Sequence, residues 1–206
     1  MGKNTSIQTL RTEVRRDQVL EAATKVFAEK GFHKATIKQI AGEAGVADGT
    51  IYNYFADKTD LLLGLLDRIN ETNQRQGHFV EAGGGDFETF FRTYLEHRMN
   101  VLKDNLALFQ AILPEVMVNG PLRERYHQTI VAPTYRVAEG YFKALQANGT
   151  IKPLDTQLLM RVISSTLLGL LISSLLGDET VQEAWEQLPT VISEIVLRGL
   201  LPEEIR

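Results

Sequence analysis

The sequence predicts an all-α protein, with a small N-terminal three-helix unit that contains a helix-turn-helix, followed by a larger C-terminal helical domain. Apolar residues recur at three- and four-residue steps along most of the 206 residues, the mark of helices with one buried face. Gly31, Gly45, Gly149 and Gly199 stand where those runs end, as helix C-termini favour. The stretch TIKQIAGEAGVADGTIYNYF, residues 36–55, reads as two short helices joined by a tight turn.

Residues 1–10 are polar and aperiodic, and are expected to form a flexible arm. A helix is expected from Thr12 to Lys30, with Val19, Ala23, Val26 and Phe27 inward and Gly31 as its stop. Thr36, with Gln39 three residues on, is a capping box that opens the next helix. Its stripe is Ile37, Ile40, Ala41 and Ala44. Gly45 supplies the left-handed residue at the helix end, and Val46 plugs the corner. In the second short helix Ile51, Tyr54 and Phe55 share one face, so Asp48, Gly49, Tyr52 and Asn53 point outwards. A short helix propped in this way is the geometry that enters a DNA major groove.

The run GVADGTIYNYFADKTDL resembles the DNA-binding signature of the TetR family of transcriptional regulators: a Gly-Val turn, Gly-Thr, Tyr-x-Tyr-Phe, then a Lys opening the next helix. The resemblance covers residues 12–66 well; beyond them the chain agrees with the family only in length and helical pattern. The chain departs from it at Ala47, where the family commonly has Ser, so one capping hydroxyl and one phosphate donor are missing. Asp48 is placed to take over part of the capping through the helix dipole. Expected DNA contacts divide by role. Thr36, Thr50, Tyr54 and Lys58, with the backbone near Gly49, form the phosphate set. Lys38, Asp48, Tyr52 and Asn53 are candidates for base edges, with Tyr52 and Asn53 foremost because Asn bonds adenine in a bidentate way. Lys58 lies in a first helical turn, where positive charge opposes the dipole and calls for an anionic neighbour; the resemblance implies that this neighbour is phosphate.

Asp57, with Asp60 at its third position, opens a fourth helix carrying Leu61, Leu62, Leu65, Leu66 and Ile69. From Gln74 to Asp86 four glycines and the lack of period predict a flexible connection. Helices are expected over 87–103, over 106–118 around Pro114, over 122–148 with a bend at Pro133, over 156–176, and over 180–200. Phe91, Tyr94, His97, Phe109, Tyr126 and Arg161 are the candidate ligand contacts, an aromatic set with a few polar groups of the kind that orient a ligand in an apolar pocket. For any one aromatic, plain core packing is the rival reading. Arg161, inside the most apolar helix, is expected to be buried against an anionic partner.

The stretch 156–176 is apolar almost all round, which suggests a membrane span. Arg161 interrupts it, however, and the uncharged run of 16 residues falls short of the ~20 a bilayer needs. Ser165, Gly169 and Ser173 form a strip of small residues that admits a close helix. With Ile192, Ile195 and Val196 of the last helix they are the expected homodimer interface, a four-helix bundle built with a second copy. The resemblance implies the same dimer, which would set two reading helices about 34 Å apart on a pseudo-palindrome.

Residues 1–60 carry about +1 and the remainder about −5. This charge would not suggest DNA binding, yet it permits it, because a few local cations suffice. The absence of cysteine excludes disulfides, thiol nucleophiles and cysteine-based metal sites. His33, His78, His97 and His127 lack metal-ligand spacing, and no hydrolase, metalloprotease or P-loop motif is present. No cofactor, metal or enzymatic activity is expected. The first residues lack a secretory h-region, so a cytoplasmic location is expected. Residues 1–56 are read as the DNA-binding domain and 57–206 as the ligand-binding and dimerisation domain. The expected function is regulation of transcription, as a repressor released from its double-stranded operator by a small apolar or amphipathic ligand, with no membrane partner. The alternative is a carrier or sensor of a small molecule whose head no longer binds DNA.

Overall fold

The structure is a computed structural model that describes residues 2–82 and 86–202. Among these residues every regular element is helical. In chain order they are α1 (Gly2–Lys34), α2 (Ile37–Glu43), α3 (Asp48–Ile51), α4 (Lys58–Asn70), α5 (Thr72–Ala82), α6 (Phe87–Asp104), α7 (Leu106–Val118), α8 (Gly120–Tyr126), α9 (Ala132–Ala147), α10 (Thr156–Leu175), α11 (Glu179–Glu183) and α12 (Leu188–Leu200). The helices gather into two compact units. The first comprises residues up to Asn70 with 107–127, and the second residues 71–106 with those from 128 onwards.

The first unit is built on α1, whose Val19, Leu20, Ala23 and Phe27 are buried with Ile40 and Ala41 of α2, Ile51 and Phe55 beyond, and Leu61, Leu62 and Leu65 of α4. Close approach of α4 depends on Gly64. A Cβ there would stand 2.7 Å from the Phe55 ring and 3.3 Å from Leu20, so any larger residue would displace core side chains. At the N-terminus of α4, Asp57 Oδ1 accepts from the Asp60 amide at 2.7 Å and Asp60 Oδ2 accepts from the Ala56 amide at 3.0 Å. Arg125 of α8 donates to the other oxygen of Asp60 at 2.9 Å. The compact unit therefore extends past the head that the sequence delimits at residue 56.

The second unit packs α5, α6 and α9 to α12 around Phe79, Phe87, Phe91, Leu95, Met99, Phe142, Met160 and Trp185. The indole N–H of Trp185, the single tryptophan of the chain, donates to the Met99 carbonyl at 3.2 Å. Asp86, Asp155 and Asp178 cap α6, α10 and α11, each accepting from backbone amides that lack a partner in the first turn.

Several expectations are corrected. Residues 2–10 belong to α1 and do not form an arm; the helix is interrupted only at Gly31, where φ is +75°. Most of the expected flexible connection is helical, because α5 runs to Ala82 and docks through Phe79; residues 83–85 of it lie outside the described residues. The single helix expected over 122–148 is divided by a π-helical turn at His127–Val131. Pro133 has no amide to give the Thr129 carbonyl, and a wider turn accommodates its ring. Thr134 bonds the Ile130 carbonyl from its hydroxyl at 2.7 Å. The last helix is likewise divided, into α11, a 3-10 turn at Trp185–Gln187 and α12; this places Trp185 in the core and Pro189 in the first turn of α12, where a missing amide is harmless.

Candidate nucleic-acid interface

The corner that presents α3 is fixed by local bonds. The Gln39 amide donates to Thr36 Oγ1 at 3.2 Å and the Thr36 amide to Gln39 Oε1 at 3.1 Å, so the capping box is complete. Gly45 takes φ +64° and the Val46 amide reaches back to the Ala41 carbonyl at 3.0 Å, a closure that an L residue would strain. From α1, the Gln18 amide donates to the Ala44 carbonyl at 2.8 Å and so caps α2 from outside. The sequence gives no local sign of this residue, because its partner is 26 positions away.

Ala47 makes no side-chain cap on α3, and Asp48 is the acidic residue of its first turn. Ile51 and Phe55 are buried, and the amides of Tyr54 and Phe55 both donate to the Ile51 carbonyl. The opposite side is left to solvent: Asp48, Gly49 and Asn53 are exposed, and Tyr52 keeps 56% of its surface. Thr36 and Lys38 are exposed as well, and Thr50 and Tyr54 are half-buried. Eight of the nine candidate DNA-contact residues thus lie on or beside one open corner, with a phenol and an amide at its tip.

Lys58 is the exception. Its ammonium donates to the carbonyls of Phe32, His33 and Ala35 at 2.7, 3.3 and 3.0 Å and sits 4.5 Å from the centre of the Phe32 ring. The negative end of α1 is therefore the anionic neighbour that a first-turn lysine calls for. Burial lowers its pKa below the ordinary lysine value, opposed by the charge of Glu115. Glu115 itself is buried, 2.8 Å from the imidazole of His33 and bonded by the Asn119 amide group at 2.8 Å.

The candidate ligand residues are divided between the two units. Phe109 and Tyr126 belong to the first unit, and Phe91, Tyr94, His97 and Arg161 to the second. Phe91 is core, and Tyr94 is half-buried among Phe79, Phe90 and Tyr141. His97 bonds Glu71 at 2.7 Å. Arg161 is exposed, not buried as expected; its guanidinium lies over the Tyr135 ring at 5.1 Å and donates to the Gln157 carbonyl. One side of this apolar helix is open to solvent in the chain, and Arg161 lies there.

Leu158, Val162, Ser165, Gly169 and Ile172 of α10 and Leu176 just beyond it recur at three- and four-residue steps and are all exposed, as are Val191 and Ile195 of α12. Ser173 and Val196 are half-buried. Ile192, expected at the dimer interface, instead packs into its own unit's core at 6% exposure. By length and composition α10 is apolar enough to cross a membrane.

An all-helical chain whose first unit holds a short solvent-facing helix on a rigid capped corner is a helix-turn-helix protein. The sequence model described as bacterial regulatory proteins of the tetR family matches residues 19–65, which are the elements of that corner. In that region the chain is similar to the TetR family. Over 64 residues it is 47% identical to the HTH-type transcriptional regulator HbdR of Aromatoleum sp. (strain CIB) and 44% identical to the fatty acid metabolism regulator protein of Bacillus subtilis. Each match covers 31% of this chain and under a third of the relative, 28% and 30% respectively. The crystal structure of the transcriptional regulator FadR from Bacillus subtilis in complex with stearoyl-CoA is 26% identical with a TM-score of 0.72, over 88% of this chain and 97% of that one.

Proposed function

We propose that the protein is a sequence-specific DNA-binding regulator of transcription, a repressor that leaves a palindromic operator when its body binds an apolar small molecule. The observation that carries this reading is the presentation of Tyr52 and Asn53 on the open side of a helix whose other side is anchored by buried Ile51 and Phe55. A phenol and an amide held rigidly at solvent are suited to base edges. Thr36, Thr50, Tyr54 and the Gly49 backbone flank them for phosphate, and Lys38 adds a cation. Lys58 acts in this scheme by holding α4 to the end of α1. Residues 1–56 serve as the DNA-binding domain, and residues 57–206 as the ligand-binding and dimerisation domain.

A palindromic operator needs two heads. The exposed apolar stripe of α10, together with Val191 and Ile195 of α12, is suited to bind its own copy, since an isologous pairing would cover both faces at once. That use of α10 also accounts for its composition without a membrane, in keeping with a cytoplasmic protein. The stearoyl-CoA in complex with the Bacillus subtilis FadR supports a ligand with an apolar chain. Such a ligand, by preferring the body conformation in which α4 is displaced, would move the heads out of groove register. The coupling is expected to be about 1–3 kcal/mol and reciprocal.

Sequencing of the genomic fragments retained by the purified protein tests this reading. A small set of fragments sharing an inverted repeat is expected, with retention that falls steeply as salt is raised. Retention without sequence preference would contradict it.

A further inference from the structure

Phe79 of α5, Phe90 and Tyr94 of α6 and Tyr141 of α9 form a four-ring cluster within the second unit, with centroids 5.1–5.8 Å apart. Phe79 and Tyr141 are buried, while Phe90 and Tyr94, stacked one helical turn apart on α6, are half-buried and carry the cluster out to solvent. The Tyr141 hydroxyl has no hydrogen-bond partner although it is shut off from water. A buried hydroxyl in that state is unfavourable, and in native proteins it usually has a purpose. Phenylalanine would fill the same ring position without it.

Resting on the ligand-responsive reading above, we propose that the Tyr141 hydroxyl is the polar contact for a neutral acceptor, a carbonyl, on an otherwise apolar ligand that enters among these rings from the Phe90 and Tyr94 side. The surroundings decide the charge of that acceptor. Burial alone pushes the phenol up to about 12, with no neighbouring charge contributing. The hydroxyl is therefore a neutral donor throughout the physiological range. A carboxylate placed there would lose its water in exchange for one neutral hydrogen bond from the phenol, whereas an ester, thioester, amide or ketone oxygen would gain the bond without that loss. The ligand class is thus an acyl or ketonic compound whose carbonyl is masked, not a free acid.

Isothermal titration of the full chain with methyl decanoate and with decanoate, which share a hydrocarbon tail and differ in charge, tests the assignment. Wild type is expected to bind the ester at least about ten-fold more tightly, and Tyr141→Phe to lose about ten-fold in ester affinity, the worth of one hydrogen bond in a dry site. The melting temperature of Tyr141→Phe is expected to be unchanged or raised, because the replacement removes an orphaned group. Equal ester affinity in wild type and Tyr141→Phe, a wild-type preference for decanoate, or no binding of either probe would each overturn the proposal. Should Tyr141→Phe fail to fold, the ester-to-acid preference of the wild type still decides it. Operator affinity measured with and without the ester separates the two readings: Tyr141-dependent ester binding that leaves DNA affinity unchanged would uphold this contact and sink the ligand-responsive regulator.

Discussion

Replacing Glu71 by Gln should weaken the second unit by about 2 kcal/mol. Glu71 stands between α4 and α5 with φ +55°, the one non-glycine residue with positive φ among those described. A left-handed conformation costs an L residue about 1–2 kcal/mol, so its side chain must hold it there. One carboxylate oxygen accepts from His97 Nε2 at 2.7 Å and from Arg98 at 2.9 Å. The guanidinium is 9% exposed and the imidazole 42%. The Arg98 bond should count nearly in full, about 1.5–3 kcal/mol for a charged pair. The His97 bond is screened by solvent and adds about 0.5 kcal/mol. Against these, the amide keeps one neutral bond of about 1 kcal/mol. Burial acts to raise the Glu71 pKa, but the hydrogen bond from His97 and the charge of Arg98 hold it below the usual carboxylate range. A carboxyl with a depressed folded-state pKa gives its full stabilisation above the unfolded value of about 4.5 and loses it as pH falls through the lower folded value. Urea unfolding followed by the fluorescence of Trp185, which lies in this unit's core, reads the effect. The gap between wild type and Glu71→Gln should be constant near neutrality and close progressively below about pH 4.5. An unchanged midpoint at pH 7, or a gap that persists undiminished at pH 3, would refute the reasoning.

Lys58→Met should destabilise the first unit by about 1.5–3 kcal/mol, since three carbonyls at the end of α1 lose a charged donor; thermal unfolding by circular dichroism measures it. A variant of native stability that had lost only DNA affinity would mean that the ammonium turns outwards to phosphate. Val162→Glu combined with Ile195→Glu should yield monomers in sedimentation velocity, because a carboxylate on each apolar face opposes its own copy across a two-fold axis. Persistence of dimers would place the interface elsewhere.

Where cause and consequence lie within one helical turn, the sequence displays both. Thr36 and Gln39 are three residues apart and form both halves of their box, Gly45 is left-handed as its place at a helix end requires, and the phase of Ile51 and Phe55 turns Tyr52 and Asn53 outwards. The illegible features depend on partners far along the chain. Lys58 is satisfied by carbonyls 23–26 residues away, which no spacing rule displays, and Glu71 is held left-handed by His97 and Arg98. The glycine-rich start of the second unit is helical up to Ala82 because Phe79 finds three rings to pack against, a tertiary contact that overrides poor local propensity. The apolar helix α10 misleads for another reason: composition does not tell a face buried in the same chain from one left open, and Arg161, which composition places among hydrocarbon, stands at the surface. Nothing in the spacing of Tyr141 marks its hydroxyl, which is left without a partner only by the packing around it.

The central claim is that Tyr52 and Asn53 meet nucleobases, and fluorescence anisotropy on a duplex recovered by genomic selection tests it most directly. Against that duplex Tyr52→Ala should lose on the order of 1–3 kcal/mol of affinity while its weak binding to random duplex stays as in wild type. Equal affinity of Tyr52→Ala and wild type for the selected duplex, or a uniform loss on both duplexes, would contradict it.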